Sequence, residues 1–135
     1  MLIGPDQLGE SGANDLAVSL QTDQAVYRLG ERVVLTLTVT NRGAQPLQLR
    51  FPSAQVYDFA VQRGGEEVWR WSRDHMFAAV LTEVLLPPGQ SRSYTETWDQ
   101  TDPQGRPVLP GIYQVEGWLV KQDPPVSQSL TITVR

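Results

Sequence analysis

The clearest order in this chain is an alternation. Val33, Leu35, Leu37 and Val39 occupy every second position, and Thr36, Thr38 and Thr40 fall between them. A period of two puts the aliphatic side chains on one face of an extended strand and the hydroxyls on the other, the pattern of an antiparallel sheet with one wet face. Asn41-Arg42-Gly43 then supplies turn chemistry. Related alternations recur at residues 16–20, at Leu47, Leu49 and Phe51 before Pro52, at residues 56–62, at Tyr94, Glu96 and Trp98, at residues 111–120, and at Leu130, Ile132 and Val134. Gly64-Gly65 reads as a hairpin turn into residues 66–71. Gly, Pro and Asp punctuate the remainder, at 87–90, 99–110 and 123–125.

Eight or nine short strands at this spacing predict an all-β fold, an immunoglobulin-like antiparallel β-sandwich. Leu35, Leu37, Val39, Phe59, Tyr113, Val115 and Ile132 are its expected core. Pro110-Gly111-x-Tyr113 resembles the strand before the last in such sandwiches, where a tyrosine hydroxyl bonds backbone upstream. Only residues 72–83 could hold a helical turn, since Met76, Phe77, Val80 and Leu81 sit at helical spacing. Residues 15–135 are read as the sandwich domain. Residues 1–14, rich in Gly with Asp6 and Glu10, are read as a lead-in without fixed structure, and they lack the basic start and apolar stretch of a secretory leader.

Charge and composition narrow the chemistry. The 135 residues carry a net charge of -4, and the one lysine, Lys121, accompanies scattered arginines with no basic run. Such a field repels nucleic acid and anionic membranes. Trp69, Arg70 and Trp71 could stack on bases, but no basic groove accompanies them. There are no cysteines, so thiolate catalysis, disulfides and zinc thiolate sites are excluded. The one histidine, His75, has Ser72 and Asp74 only as sequence neighbours, and catalytic triads are set by convergence in space. Glu66-Glu67 alternate across a strand, and Glu96, Asp99 and Asp102 are too loosely spaced for a facing acid pair or a calcium loop. No phosphate-binding glycine loop occurs. The expectation is a protein without catalytic activity, cofactor or metal.

What remains is an aromatic cluster. Trp69-Arg70-Trp71-Ser72-Arg73 is followed by His75-Met76-Phe77. In an extended strand Trp69 and Trp71 share a face, with Arg70 on the other. Trp69 is expected in the core. For Trp71, Met76 and Phe77, end-of-core packing and a partner surface stay equally open, because interfaces favour the same residue types.

The order of these motifs resembles the BsuPI-type intracellular proteinase inhibitor family. The resemblance rests on Phe51-Pro52-Ser53 through Tyr57-Asp58-Phe59, Val68-Trp69-Arg70-Trp71-Ser72, Met76-Phe77, Leu86-Pro87-Pro88-Gly89, Trp98 and Pro110-Gly111-Ile112-Tyr113. It implies a cofactor-free, cytoplasmic, immunoglobulin-like sandwich that inhibits a subtilisin-like serine proteinase by protein–protein binding. The alternative is a non-catalytic binding module of unknown partner. Arg70, Trp71, Ser72, Arg73, His75, Met76 and Phe77 are the expected partner-binding residues. The chain is expected to be a monomer, with an edge strand able to pair two copies.

Overall fold

The computed structural model describes residues 15–122 and 125–135. The expectation for residues 1–14 and part of the turn at 123–125 therefore lie outside the described residues. Among the described residues there are ten strands: β1 (Leu16–Thr22), β2 (Val26–Tyr27), β3 (Val33–Asn41), β4 (Leu47–Phe51), β5 (Tyr57–Arg63), β6 (Glu66–Arg70), β7 (Thr82–Leu86), β8 (Ser91–Trp98), β9 (Gly111–Leu119) and β10 (Val126–Val134). They form sheets of order β1-β3-β8, β2-β10-β9-β5-β6 and β4-β7. All pairings are antiparallel except β2 with β10, a two-residue parallel contact. The strand count exceeds the sequence reading because β2 has two residues, too few to show a period. Among the described residues no helix is long and apolar enough to cross a membrane.

The alternation in β3 sets the architecture. Val33, Leu35, Leu37 and Val39 are fully buried and meet Phe59, Val61, Tyr113, Val115 and Ile132 of the five-stranded sheet in one core, to which the small sheet adds Leu49, Phe51 and Leu86. All seven core residues expected from the sequence are buried. On the outer face the hydroxyls bond across strands, Thr36 to Thr95 at 3.1 Å, Thr38 to Ser93 at 2.8 Å and Thr40 to Ser91 at 2.6 Å. Such pairs stabilise a sheet without needing a second layer. Gly117 marks the close approach of the sheets: a Cβ there would stand 3.2 Å from Leu20 of β1 and from Phe59 of β5.

Polar side chains lock the ends. The Tyr113 hydroxyl donates to the Leu109 carbonyl at 2.5 Å, the tyrosine corner expected from sequence. Asn41 is buried and donates to the Gln45 and Leu86 carbonyls, tying β3 to the small sheet. Gln100, also buried, donates to the Arg28 and Glu31 carbonyls and accepts from the Gly30 N–H.

Tyr27 gives the fold an alkaline limit. It is buried, and its hydroxyl donates to Asp23 Oδ1 at 2.5 Å. Burial, and then that bond, push its pKa from 10.0 up to about 12. The folded state thus holds this proton more firmly than the unfolded chain does. The resulting stabilisation is complete below pH ~10 and is lost as pH rises towards the folded value. Tyr57 and Tyr94 shift in the same direction, chiefly by burial. Circular dichroism and tyrosinate absorbance followed together should therefore fall and rise in one step within that window. Tyrosinate forming well before unfolding would contradict this account.

Candidate protein-binding surface

β6 is short and irregular, and its irregularity builds the site. Val61 pairs with Trp69 but the next residue, Gln62, pairs with Glu67, so Val68 is an extra residue. On a regular strand residues 67 and 70 would point to opposite faces; the bulge brings them to the same one. Arg70 then donates to Glu67 Oε1 from Nε at 3.0 Å and from Nη2 at 2.7 Å, and Arg73 reaches Glu67 Oε2 at 2.6 Å. The guanidinium of Arg70 lies 4.9 Å above the Trp118 ring. Its pKa is raised, first by the Glu67 bond.

Below this network sits Asp58 of β5, 3% exposed. A buried carboxylate is costly unless its lone pairs are filled, and here they are. Oδ1 accepts from the backbone N–H of Phe59 at 2.9 Å and of Ser72 at 3.1 Å, and Oδ2 accepts from the Ser72 hydroxyl at 2.6 Å. Arg70 Nη1 stands 3.6 Å from Oδ2. Asp58 thereby fixes the exit of β6 and starts the 3₁₀ turn at Trp71–Asp74. Asp58→Ala should cost roughly 2–4 kcal/mol, since it strands several buried donors at once. Urea unfolding measures that cost. A loss below ~0.5 kcal/mol would mean that water replaces the carboxylate and that it does not organise the turn.

On the inner side an aromatic stack runs outward from between the sheets. Tyr94 of β8 stacks on Tyr57 at 4.6 Å, and Tyr57 stacks on Trp71 at 4.8 Å. Trp71 meets His75 at 4.4 Å and Phe77 at 5.6 Å. The Tyr57 hydroxyl donates to Glu96. His75 Nδ1 lies 2.7 Å from the Trp71 carbonyl, which can only accept, so Nδ1 carries the proton. Trp69 and Trp71 do face inward together, with Trp69 packed 6.3 Å from Trp98.

After the 3₁₀ turn the chain runs without helix through residues 75–81, so the helical spacing there is not realised. The Ala54 N–H donates to the Ala78 carbonyl at 2.9 Å and pins the loop midway. Its side chains divide sharply. Trp71 and Phe77 are half-buried, whereas Met76 is 100% exposed, Leu81 84% and Val80 53%. Three large apolar side chains of this tethered segment thus stand in solvent.

The residues singled out from sequence fall into three positions. Arg70 and Ser72 are tied to Asp58, and Arg73 to Glu67, on one side. Trp71 and Phe77 form the half-buried floor of the loop, the exposed His75 ring stacks on Trp71, and Met76 stands fully in solvent. The structure adds Val80 and Leu81, which the sequence reading placed only as members of a helical spacing. It also adds Asp58, which nothing in the period of β5 distinguishes from a solvent-facing strand residue.

Among the described residues no side-chain hydrogen bond links His75 to Ser72: the Ser72 hydroxyl is taken by Asp58, and only the His75 backbone N–H reaches the Ser72 carbonyl, at 3.1 Å. Asp99 accepts from Thr101, and Asp102 from the Gln104 and Arg106 N–H groups and the Arg106 guanidinium. These bonds, led by the Arg106 N–H, hold Asp102 below the usual carboxylate range. Both acids serve as turn caps. Among the described residues no three His, Cys, Asp or Glu side chains gather as a metal set.

Comparison with known proteins places this geometry. The family model described as "BsuPI: Intracellular proteinase inhibitor" matches residues 20–124. No curated protein matches the sequence. Among solved structures, the alkylpurine DNA glycosylase AlkC of Pseudomonas fluorescens is 18% identical with a TM-score of 0.56, covering 90% of this chain and 30% of that one. The sporulation control protein Spo0M of Bacillus subtilis is 19% identical with a TM-score of 0.54, covering 90% and 49%. A CARDB domain of Pyrococcus furiosus is 16% identical with a TM-score of 0.51, covering 89% and 94%. At these identities the likeness concerns the fold alone.

Proposed function

The chain belongs to the BsuPI family of intracellular proteinase inhibitors, and from that premise we propose that it inhibits a subtilisin-like serine proteinase in the cytoplasm. Inhibition works by occupation of the substrate cleft, without chemistry on the inhibitor's side. The observation that carries this reading is the loop at residues 75–81. It presents Met76, Val80 and Leu81 to solvent from a chain held by Asp58 at its entry, by Ala54 at its middle and by β7 at its exit. A proteinase cleft takes an extended segment by its backbone and fills pockets with its side chains. A segment already held in place loses little conformational entropy on docking, which is how an interface of ordinary size becomes tight. The aromatic floor of Trp71, His75 and Phe77 gives the loop its rigidity.

The test is a titration of a subtilisin-type proteinase with purified protein. Activity should fall linearly to an end point at one inhibitor per enzyme, and the recovered inhibitor should be uncleaved over the assay. A proteinase that keeps full activity at excess inhibitor, across several subtilisin-type enzymes, sinks the reading. The second reading, a binding module whose partner is not a proteinase, draws on the fold neighbours. The same architecture forms part of a DNA glycosylase and a sporulation control protein, and a fold does not fix a function. Under that reading the same loop still docks, and proteinase activity is untouched.

A further inference from the structure

We propose, on the inhibitor reading above, that Met76 enters the primary specificity pocket of the proteinase and that the bond after it, Met76–Phe77, lies before the enzyme's serine. A serine proteinase selects the residue before the scissile bond through one pocket. An inhibitor that fills the cleft as a substrate does must therefore offer one side chain free on all sides, carried on extended backbone. His75 has extended backbone, with φ of −125° and ψ of 148°. Its ring and that of Phe77 both lie on Trp71, at 4.4 and 5.6 Å, and within 6.3 Å of each other. Residues two apart share a face of an extended segment. Met76, between them, points away and is fully exposed. The other exposed side chains here meet these conditions less well. Arg73 is held by Glu67. Val80 is half-covered and branched at Cβ. Leu81 directly precedes β7, whose first residue, Thr82, pairs with Phe51 of β4, so the small sheet flanks the backbone that a cleft would have to enclose. The unbranched, apolar and adaptable side chain of methionine suits a deep apolar pocket. The partner is thus a subtilisin-type proteinase that cleaves after large apolar residues.

The same contacts explain why such a loop inhibits and is not simply digested. Hydrolysis adds one water across the Met76–Phe77 amide, leaving a Met76 carboxylate and a Phe77 ammonium. On the carboxylate side, the His75 N–H is tied to the Ser72 carbonyl at 3.1 Å, and Nδ1 to the Trp71 carbonyl at 2.7 Å. On the amine side, Phe77 rests on Trp71, and the Ala78 carbonyl accepts from the Ala54 N–H at 2.9 Å. Both new ends stay clamped on the one tryptophan. Held side by side, they meet at high effective concentration, and loss of the same water re-forms the bond. Release of either end, which digestion needs, requires the Trp71 contacts to break first.

Inhibition constants of full-length variants test the assignment. Against a subtilisin-type proteinase that cleaves after large apolar residues, Met76→Leu should stay within about threefold of the parent chain. Met76→Asp should be about a hundredfold weaker, because it sends an unpaired carboxylate into an apolar pocket. Met76→Arg should lose that enzyme and gain about tenfold or more against a subtilisin-type proteinase that cleaves after arginine. A gain of this kind cannot come from a folding defect, and all three variants should melt with the parent because the Met76 side chain stands free. Prolonged incubation with excess enzyme, read by mass spectrometry, should cut the chain first between Met76 and Phe77. His75→Ala, which frees one side of that bond, should be cut there about tenfold faster. A parent chain that inhibits no subtilisin-type enzyme overturns both the inhibitor reading and the role of Met76. A parent chain that does inhibit overturns only the role of Met76 under any of four results: an equally potent Met76→Asp, no gain in Met76→Arg, a first cut elsewhere, or an unchanged cutting rate in His75→Ala.

Discussion

Trp98→Ala should be the most destabilising single truncation in this fold, costing roughly 3–5 kcal/mol. Trp98 closes β8 with no solvent exposure and packs between Trp69 of β6 and Tyr113 of β9. Its ring therefore joins the two sheets at the end where the bulged β6 strand departs. Truncation opens a cavity that β6 cannot collapse into, because the Asp58 and Glu67 networks hold it. It also removes the indole N–H that donates to the Thr101 carbonyl at 3.0 Å, leaving that acceptor to find water. Against a typical total of roughly 5–15 kcal/mol such a loss is a large fraction. The melting temperature should drop by roughly 10–20 °C. Trp98→Phe, which keeps most of the ring volume and loses only the N–H, should cost about 1–2 kcal/mol. Calorimetry on both variants checks the assignment. If alanine and phenylalanine cost the same, the hydrogen bond rather than the packing carries the residue.

Much of this sandwich was legible in the chain because its strands obey a period of two. β3, β9 and β10 each bury alternate residues, and an aliphatic at every second position leaves few other ways to fold. The tyrosine corner was legible for a similar reason, since a local motif with its partner four residues away needs no tertiary information. The elements that escaped depend on residues far apart in sequence. Asp58 looks like a solvent-facing strand residue until Ser72 folds over it, fourteen positions on. Gln100, with φ of 64°, looks like one more polar loop residue; its amide holds the turn at residues 28–31. The loop proposed to bind was half legible. The cluster of Trp, Arg, Met and Phe marked the place, but not which side chains are used up. Arg70 and Ser72 read as free surface groups, and their partners Glu67 and Asp58 become visible only once the Val68 bulge has turned them to one face. Val80 and Leu81 suggested a helical stripe by spacing, whereas the pinning of Ala78 by Ala54 holds the segment straight.

The division within the loop leads to the largest expected effect on binding. Met76 and Leu81 contribute almost nothing to the fold, since both side chains stand in solvent. Met76→Ala and Leu81→Ala should therefore leave the melting temperature within about a degree of the parent chain. Each should weaken proteinase binding by more than ~1 kcal/mol, and the pair together by two orders of magnitude or so, if they fill pockets of the cleft. Trp71→Ala behaves differently. Trp71 is stacked on Tyr57, His75 and Phe77, so its loss should cost roughly 2–3 kcal/mol of stability, below the range for a fully buried tryptophan. It should also weaken binding, because the loop loses its floor and must pay ordering entropy on docking. Phe77→Ala should follow Trp71 with smaller values. The kinetics separate the two causes: loss of a contact raises the dissociation rate, while loss of preorganisation also slows association. Surface plasmon resonance on all five variants, beside thermal melts, tests this in one experiment. Unchanged affinity in the Met76→Ala, Leu81→Ala double variant would move the contact surface away from this loop altogether. The outward face of Arg70, Arg73 and Trp118 would then be the next place to look.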